Sequence, residues 1–172
     1  LSGLLHYILN ECDQPLVPLE KEMKMIQDYV SLEKIRYGKE MNMSVELPDN
    51  CSNKMIAPLL LIPFIENSFK HGASKMLTHP YVKLRIAIEG DMLHFELSNS
   101  RPQVHDLGMV RGNIGLKNVT KRLELLYPAD HALDITVQKE SFAVDLKIRL
   151  VDMADTTNTR EIRKPVKEYA MG

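Results

Sequence analysis

One stretch of this sequence, Pro58 to His71, restricts the fold more than any other. Leu59, Leu60, Leu61, Ile62, Phe64 and Ile65 leave almost no polar side on a helix drawn through it. Such a helix has to be covered on most sides, which calls for a sheet against one face and further helix against another. Its end changes character abruptly to Glu66-Asn67-Ser68, then Phe69, then Lys70-His71-Gly72. Polar groups at the end of a buried helix cost free energy unless partnered, so this run needs a reason. Pro63 is a conflict inside the segment, because it removes one backbone donor and bends a helix interior.

The remaining pattern supplies the layers. Leu4, Leu5, Ile8 and Leu9 read as the last turns of a helix entering from upstream, broken by the polar run from Asn10 to Pro15. Pro18 to Tyr37 reads as a helix with proline in its first turn. Glu20 and Glu22 suit the positive end of its dipole, and Gly38 is a stop. Leu19, Met23, Ile26 and Val30 form its apolar stripe, widened by Met25, Tyr29 and Leu32. A face that wide predicts packing on a domain on one side and on a partner helix on the other.

Met41 to Leu47 alternates as a strand. Tyr81 to Ile88 and Met92 to Leu97 are strands joined by Glu89-Gly90-Asp91. Residues 100–112 read as a mobile loop. Gly115 to Tyr127 is a third helix ended by Pro128, and Leu133–Val137 and Phe142–Leu150 are two last strands. The expected fold is an α/β two-layer sandwich, a mixed sheet covered on one face by helices and preceded by a helical segment. The polar tail 152–172 is expected to be loosely attached.

Composition excludes several classes. A formal net charge of -1, no tryptophan and no basic stripe argue against a nucleic-acid surface. Cys12 and Cys51 lack a Cys-x-x-Cys spacing, which is poor support for zinc or a disulfide scaffold. No apolar run is long enough to span a bilayer. The sequence opens on Leu1 rather than Met and reads as a piece of a longer polypeptide.

A second polar cluster, Arg111-Gly112-Asn113-Ile114-Gly115-Leu116-Lys117-Asn118, opens the third helix. Glycines before a helix let backbone approach an anion, whose oxygens meet the free amides of the first turn. Asn67 offers a neutral oxygen for a hard cation such as Mg²⁺, and Lys70 a positive charge for a phosphate.

The two clusters together carry a resemblance. Pro63-Phe64-Ile65-Glu66-Asn67-Ser68-Phe69-Lys70-His71-Gly72 resembles the N box of sensor histidine kinases, and Gly112 to Tyr127 resembles their second glycine box with its helix. The match is to the LytS-type branch. It extends back through Leu1–Tyr7 and Pro18–Arg36, which look like the end of a dimerisation segment. The resemblance implies a Bergerat ATP-binding fold in residues 38–151, with residues 1–37 ending a helical dimerisation segment. It also implies homodimerisation through the N-terminal helices, autophosphorylation on histidine, and transfer to an aspartate of a response-regulator receiver domain. No nucleic-acid partner is implied. The implied location is the cytoplasmic side of an inner-membrane protein, whose membrane contact would come through upstream segments.

Residue by residue, it makes Asn67 the Mg²⁺ ligand and sets Lys70 and His71 beside the phosphates of ATP. Gly112, Asn113, Gly115 and Leu116 fall in the phosphate-facing turn, the preceding loop is the ATP lid, and Glu66 has a supporting polar role. Where the family carries Asp-x-Gly-x-Gly for adenine, this sequence has Ser98-Asn99-Ser100-Arg101-Pro102, so Asn99 would accept through its amide oxygen.

The acidic residue that positions water in related ATPases is replaced by Pro63, which favours phosphoryl transfer over hydrolysis. The acceptor histidine of the family lies in a motif not found here. His6 falls in the helix after that motif, and His79, His94, His105 and His131 lack ligand spacing. The alternative reading is a dimerising regulatory domain with a degenerate nucleotide site.

Overall fold

The computed structural model describes residues 14–72, 79–102 and 114–157. Helix α1 spans Leu19–Tyr37, with Glu20 and Glu22 in its first turn and Lys34 and Arg36 in its last, each complementing the helix dipole. Gly38, at φ 55°, donates its N–H to the Lys34 carbonyl and closes the helix. Leu19, Met23, Met25, Ile26 and Val30 are buried, while Leu32 and Ile35 face outward.

Two sheets follow. The larger has the order β2-β4-β5-β7-β6, from β2 (Asn42–Glu46), β4 (Tyr81–Glu89), β5 (Met92–Ser100), β6 (His131–Val137) and β7 (Ser141–Arg149). β2 runs parallel to β4 and the remaining pairs are antiparallel, so the sheet is mixed as expected. The β4–β5 turn places Gly90 at φ 61°, the conformation a type II′ hairpin demands at its first central position. One face carries Val82, Leu84, Ile86, Leu93, Phe95, Leu97, Val144, Leu146 and Ile148, all buried beneath the helices.

The opposite face is polar. Its register aligns Glu46, Arg85, Glu96, Asp145 and Asp134 in one row across all five strands.

The smaller sheet was not expected from the sequence. Strands β1 (Val17–Pro18), β3 (Lys54–Ile56) and β8 (Val151–Asp152) pair in the order β1-β3-β8. It ties the entry to α1 and the start of the C-terminal tail to the same core, and Lys54 adds ion pairs to Asp91 and Asp152. Residues 152–157, expected to be loosely attached, thus begin with a paired strand residue and end in a 3-10 turn, Asp155–Thr157. Residues 158–172 lie outside the described residues.

Helix α2 covers Ile62–Gly72 and α3 covers Ile114–Leu126. α2 corrects the expected helix start at Pro58. Residues 58–61 form a turn in which Leu59 takes φ 54°, and Pro63 falls in the first helical turn. A proline there lacks only an N–H that would have no intrahelical acceptor, so the expected conflict disappears. Phe64 packs its ring 5.8 Å from that of Phe95 and seats α2 on β5. β5 also runs three residues beyond the expected Leu97, carrying Asn99 and Ser100 within the sheet. Most of the loop expected over 100–112 lies outside the described residues. Arg101, just after β5, donates its N–H to the Glu140 carbonyl at 2.9 Å.

Candidate functional site

The last two turns of α2 present the first polar cluster. Asn67 is half-buried, Glu66, Lys70 and His71 are exposed, and Ser68 and Phe69 are buried. Phe69 anchors this end. Its ring stacks on Tyr37 at 6.4 Å and meets the edge of Tyr29 at 5.9 Å, both from α1. Burial, followed by the neighbouring Glu33 charge, pushes the Tyr29 phenol well above its ordinary range, so it stays neutral.

His71 is held below its ordinary value by partial burial, then by the charges of Lys70 and Arg101.

Asn99 sits one residue from the end of β5, opposite Val82 and Phe142, with its side chain fully buried. Its amide nitrogen donates to the Ser100 carbonyl at 2.7 Å. Among the described residues its side-chain oxygen has no hydrogen-bond partner, nor has the buried hydroxyl of Ser68 on α2. A buried acceptor left unpaired costs on the order of 1–3 kcal/mol. Nearby, Ser100 pins the strand end by accepting the Tyr81 N–H at 2.9 Å.

At the start of α3, Gly115 is exposed and Leu116 is buried with Val119 and Leu123. A Cβ built on Gly115 would meet nothing within 4 Å, and its φ is not in the left-handed region. Among the described residues, therefore, neither the backbone nor packing requires glycine there. Gly112 and Asn113 lie outside the described residues. Among those described, no cluster of three or more His, Cys, Asp or Glu could hold a metal ion. A cation at this site would depend on oxygens such as that of Asn67 together with a ligand's own.

Sequence reasoning missed Ser68 and two residues behind the site, Glu22 and Arg122. Glu22 was assigned to the helix dipole, yet it is fully buried and accepts from backbone N–H groups leading into α2. Its place three residues after Leu19, within the apolar stripe, was the available signal.

The class that the architecture defines is an α/β fold, a mixed sheet with α2 and α3 on one face. Residues 1–41 match the family model described as Histidine kinase. The sensor histidine kinase BtsS of Escherichia coli K12 is 25% identical over 126 residues, 73% of this chain and 22% of that protein. The sensor protein LytS of Staphylococcus epidermidis is 25% identical over 160 residues, 86% of this chain and 27% of that protein.

Among solved structures, the histidine kinase domain of the Erythrobacter litoralis EL346 blue-light activated kinase aligns with TM-score 0.61. It does so at 13% identity, covering 95% of this chain and 76% of that one. A nucleotide-free catalytic domain of histidine kinase ThkA aligns with TM-score 0.52 at 13% identity, covering 78% and 94%. The chain is similar in sequence to LytS-type sensor histidine kinases over most of its length and has the fold of histidine kinase catalytic domains. It spans about a quarter of the length of these curated relatives.

Proposed function

We propose that this chain is the ATP-binding catalytic part of a sensor histidine kinase, acting on a histidine that lies upstream in the parent protein. The observation that carries the reading is the buried side-chain oxygen of Asn99, an acceptor without a donor among the described residues, near the end of β5. Adenine presents an exocyclic amino group that would complete it. Guanine presents a carbonyl oxygen at the corresponding position and would repel it.

In this reading Asn67 contributes an oxygen to Mg²⁺, and Lys70 offsets phosphate charge. His71 gains a proton as the polyphosphate approaches. The first-turn amides at Gly115 and Leu116 receive phosphate oxygens, with Gly112 and Asn113 preceding them in the same turn and Glu66 supporting the polar end of α2. Bound Mg-ATP supplies the transferable phosphoryl group. The chain's residues position that group and stabilise its charge, which is the main protein contribution in phosphoryl transfer. Pro63, one helical turn before Asn67, offers no carboxylate to activate water, so transfer to histidine is favoured over hydrolysis.

The parent would dimerise through its N-terminal helices, pass the phosphoryl group to a response-regulator receiver domain, and keep this part on the cytoplasmic side of the inner membrane. Residues 1–37 would close the dimerisation segment and residues 38–151 would form the catalytic domain. No helix among the described residues is long and apolar enough to cross a membrane.

Isothermal titration of the chain with Mg-ATP and Mg-GTP tests the reading. Heat from Mg-ATP, absent or at least tenfold weaker with Mg-GTP, is expected. No heat with either at millimolar nucleotide refutes it. A longer chain with the upstream helix should then form phosphohistidine; binding without phosphorylation would favour a regulatory domain instead.

A further inference from the structure

The turn 57–61 that leads into α2 is held from both sides by side chains of other elements. Both carboxylate oxygens of Glu22 on α1 face it. Oε2 accepts the N–H of Leu59 at 3.1 Å, and Oε1 accepts those of Leu60 and Leu61 at 3.2 and 3.4 Å. From the other side comes the guanidinium of Arg122 on α3. Its Nη1 donates to the Leu59 carbonyl at 3.1 Å and its Nη2 to the Pro58 carbonyl at 2.8 Å. One residue earlier, the Ala57 N–H donates to the Tyr127 hydroxyl at 2.9 Å.

We infer that Glu22 and Arg122 form one positioning device that joins α1 to α3 through this turn and sets where α2 presents Asn67, Lys70 and His71. Three successive amides converging on one anion make a backbone nest, here filled by the protein's own carboxylate. Leu59 holds a positive φ that a branched aliphatic residue adopts only when its surroundings fix it. Here one carboxylate takes the N–H side of the turn and one guanidinium the carbonyl side. The planar fork of arginine suits two adjacent carbonyls, which a lysine point charge cannot span.

α1 cannot slide along the domain without dragging the turn or breaking three charge-assisted hydrogen bonds. The turn is continuous with α2, and its other side is held by α3. A displacement of α1 is therefore delivered to α2 and α3 together. Neither residue touches the proposed ligand, and both act through the elements they hold. The nucleotide part of this inference rests on the ATP reading above; the mechanical part does not.

Hydrogen exchange on the whole chain, compared among Glu22→Gln, Arg122→Lys and the unaltered protein, tests it. Leu133→Ala, a half-buried site on β6, serves as a destabilised control. Glu22→Gln should speed exchange at residues 59–61 about 10- to 100-fold. The increase should spread into residues 64–70 of α2 and 115–120 of α3 and leave β6 and β7 unchanged. Arg122→Lys should give the same spread more weakly, and it carries the test if Glu22→Gln does not fold.

Both variants should also lose at least about threefold in Mg-ATP affinity, a loss the control does not show. Acceleration confined to 59–61, or a pattern matching the control, overturns the inference. Unchanged Mg-ATP affinity in a chain that binds Mg-ATP overturns the positioning role. If the unaltered chain binds no nucleotide, the ATP reading falls, and the spread of exchange still decides the mechanical claim.

Discussion

Replacing Gly115 with alanine separates two reasons for a glycine in the first turn of α3. If the fold needed it, the new methyl would clash or strain the backbone. The added Cβ meets nothing within 4 Å and the backbone is outside the left-handed region, so neither cost applies. Alanine in a helix is favoured over glycine by up to about 1 kcal/mol, and less near an end, so Gly115→Ala should stabilise the chain by ~0.5–1 kcal/mol. For a chain of this size that raises Tm by about 1–4 °C.

Nucleotide binding should move the other way. A methyl set between the first-turn amides and a phosphate has to be accommodated at ~1–3 kcal/mol, about 5- to 150-fold in affinity. Thermal melting and Mg-ATP titration on the same preparation read both arms. A more stable protein with weaker binding supports the site. Loss of stability would show that the fold requires the glycine, and unchanged affinity would remove Gly115 from the nucleotide site.

Two further predictions follow from the cited geometry. The folded-state pKa of His71 lies below its unfolded value of 6.5, so the unfolded chain binds the extra proton more readily. Its contribution to stability is complete above about pH 6.5 and is lost as pH falls toward the folded pKa. An arriving polyphosphate should raise that pKa. Titrations at pH 6 in buffers of different ionisation enthalpy should therefore show proton uptake, absent in His71→Asn; equal uptake in both would place His71 away from the phosphates. Phe64→Ala, at a fully buried ring seated on Phe95, should cost ~3–5 kcal/mol by urea unfolding, and a loss below about 1 kcal/mol would contradict its core position.

The sequence made the longer elements legible because each imposes a period. Pro18–Tyr37 was placed within one residue of α1, and Glu89-Gly90-Asp91 marked the β4–β5 turn. β1, β3 and β8 span only two or three residues, too short for alternation to register, and their pairing is decided by distant partners. Leu59 to Leu61 are apolar in any conformation, so the start of α2 at Ile62 was invisible. What fixes it is Glu22 drawing those amides out of the helix, a contact across 37 to 39 positions of sequence.

The candidate site divides the same way. Asn67 and Gly115 stood out as polar or flexible residues against apolar helices. Asn99 continues the inward alternation of Leu93, Phe95 and Leu97, and the absence of a donor to its side-chain oxygen among the described residues appears only once the strand is packed. Arg122, four residues before the end of α3, looks like any solvated helix cation until its two carbonyl acceptors are seen.

A crystal structure of the chain with magnesium and a non-hydrolysable ATP analogue would settle the assignment most directly. The base should lie with its amino group against the Asn99 oxygen, the cation beside Asn67, and the phosphates over the amides that begin α3. An analogue seated instead on the polar face of the sheet, around Glu96 and Asp145, or Asn67 and Gly115 lining no common cavity, would contradict it.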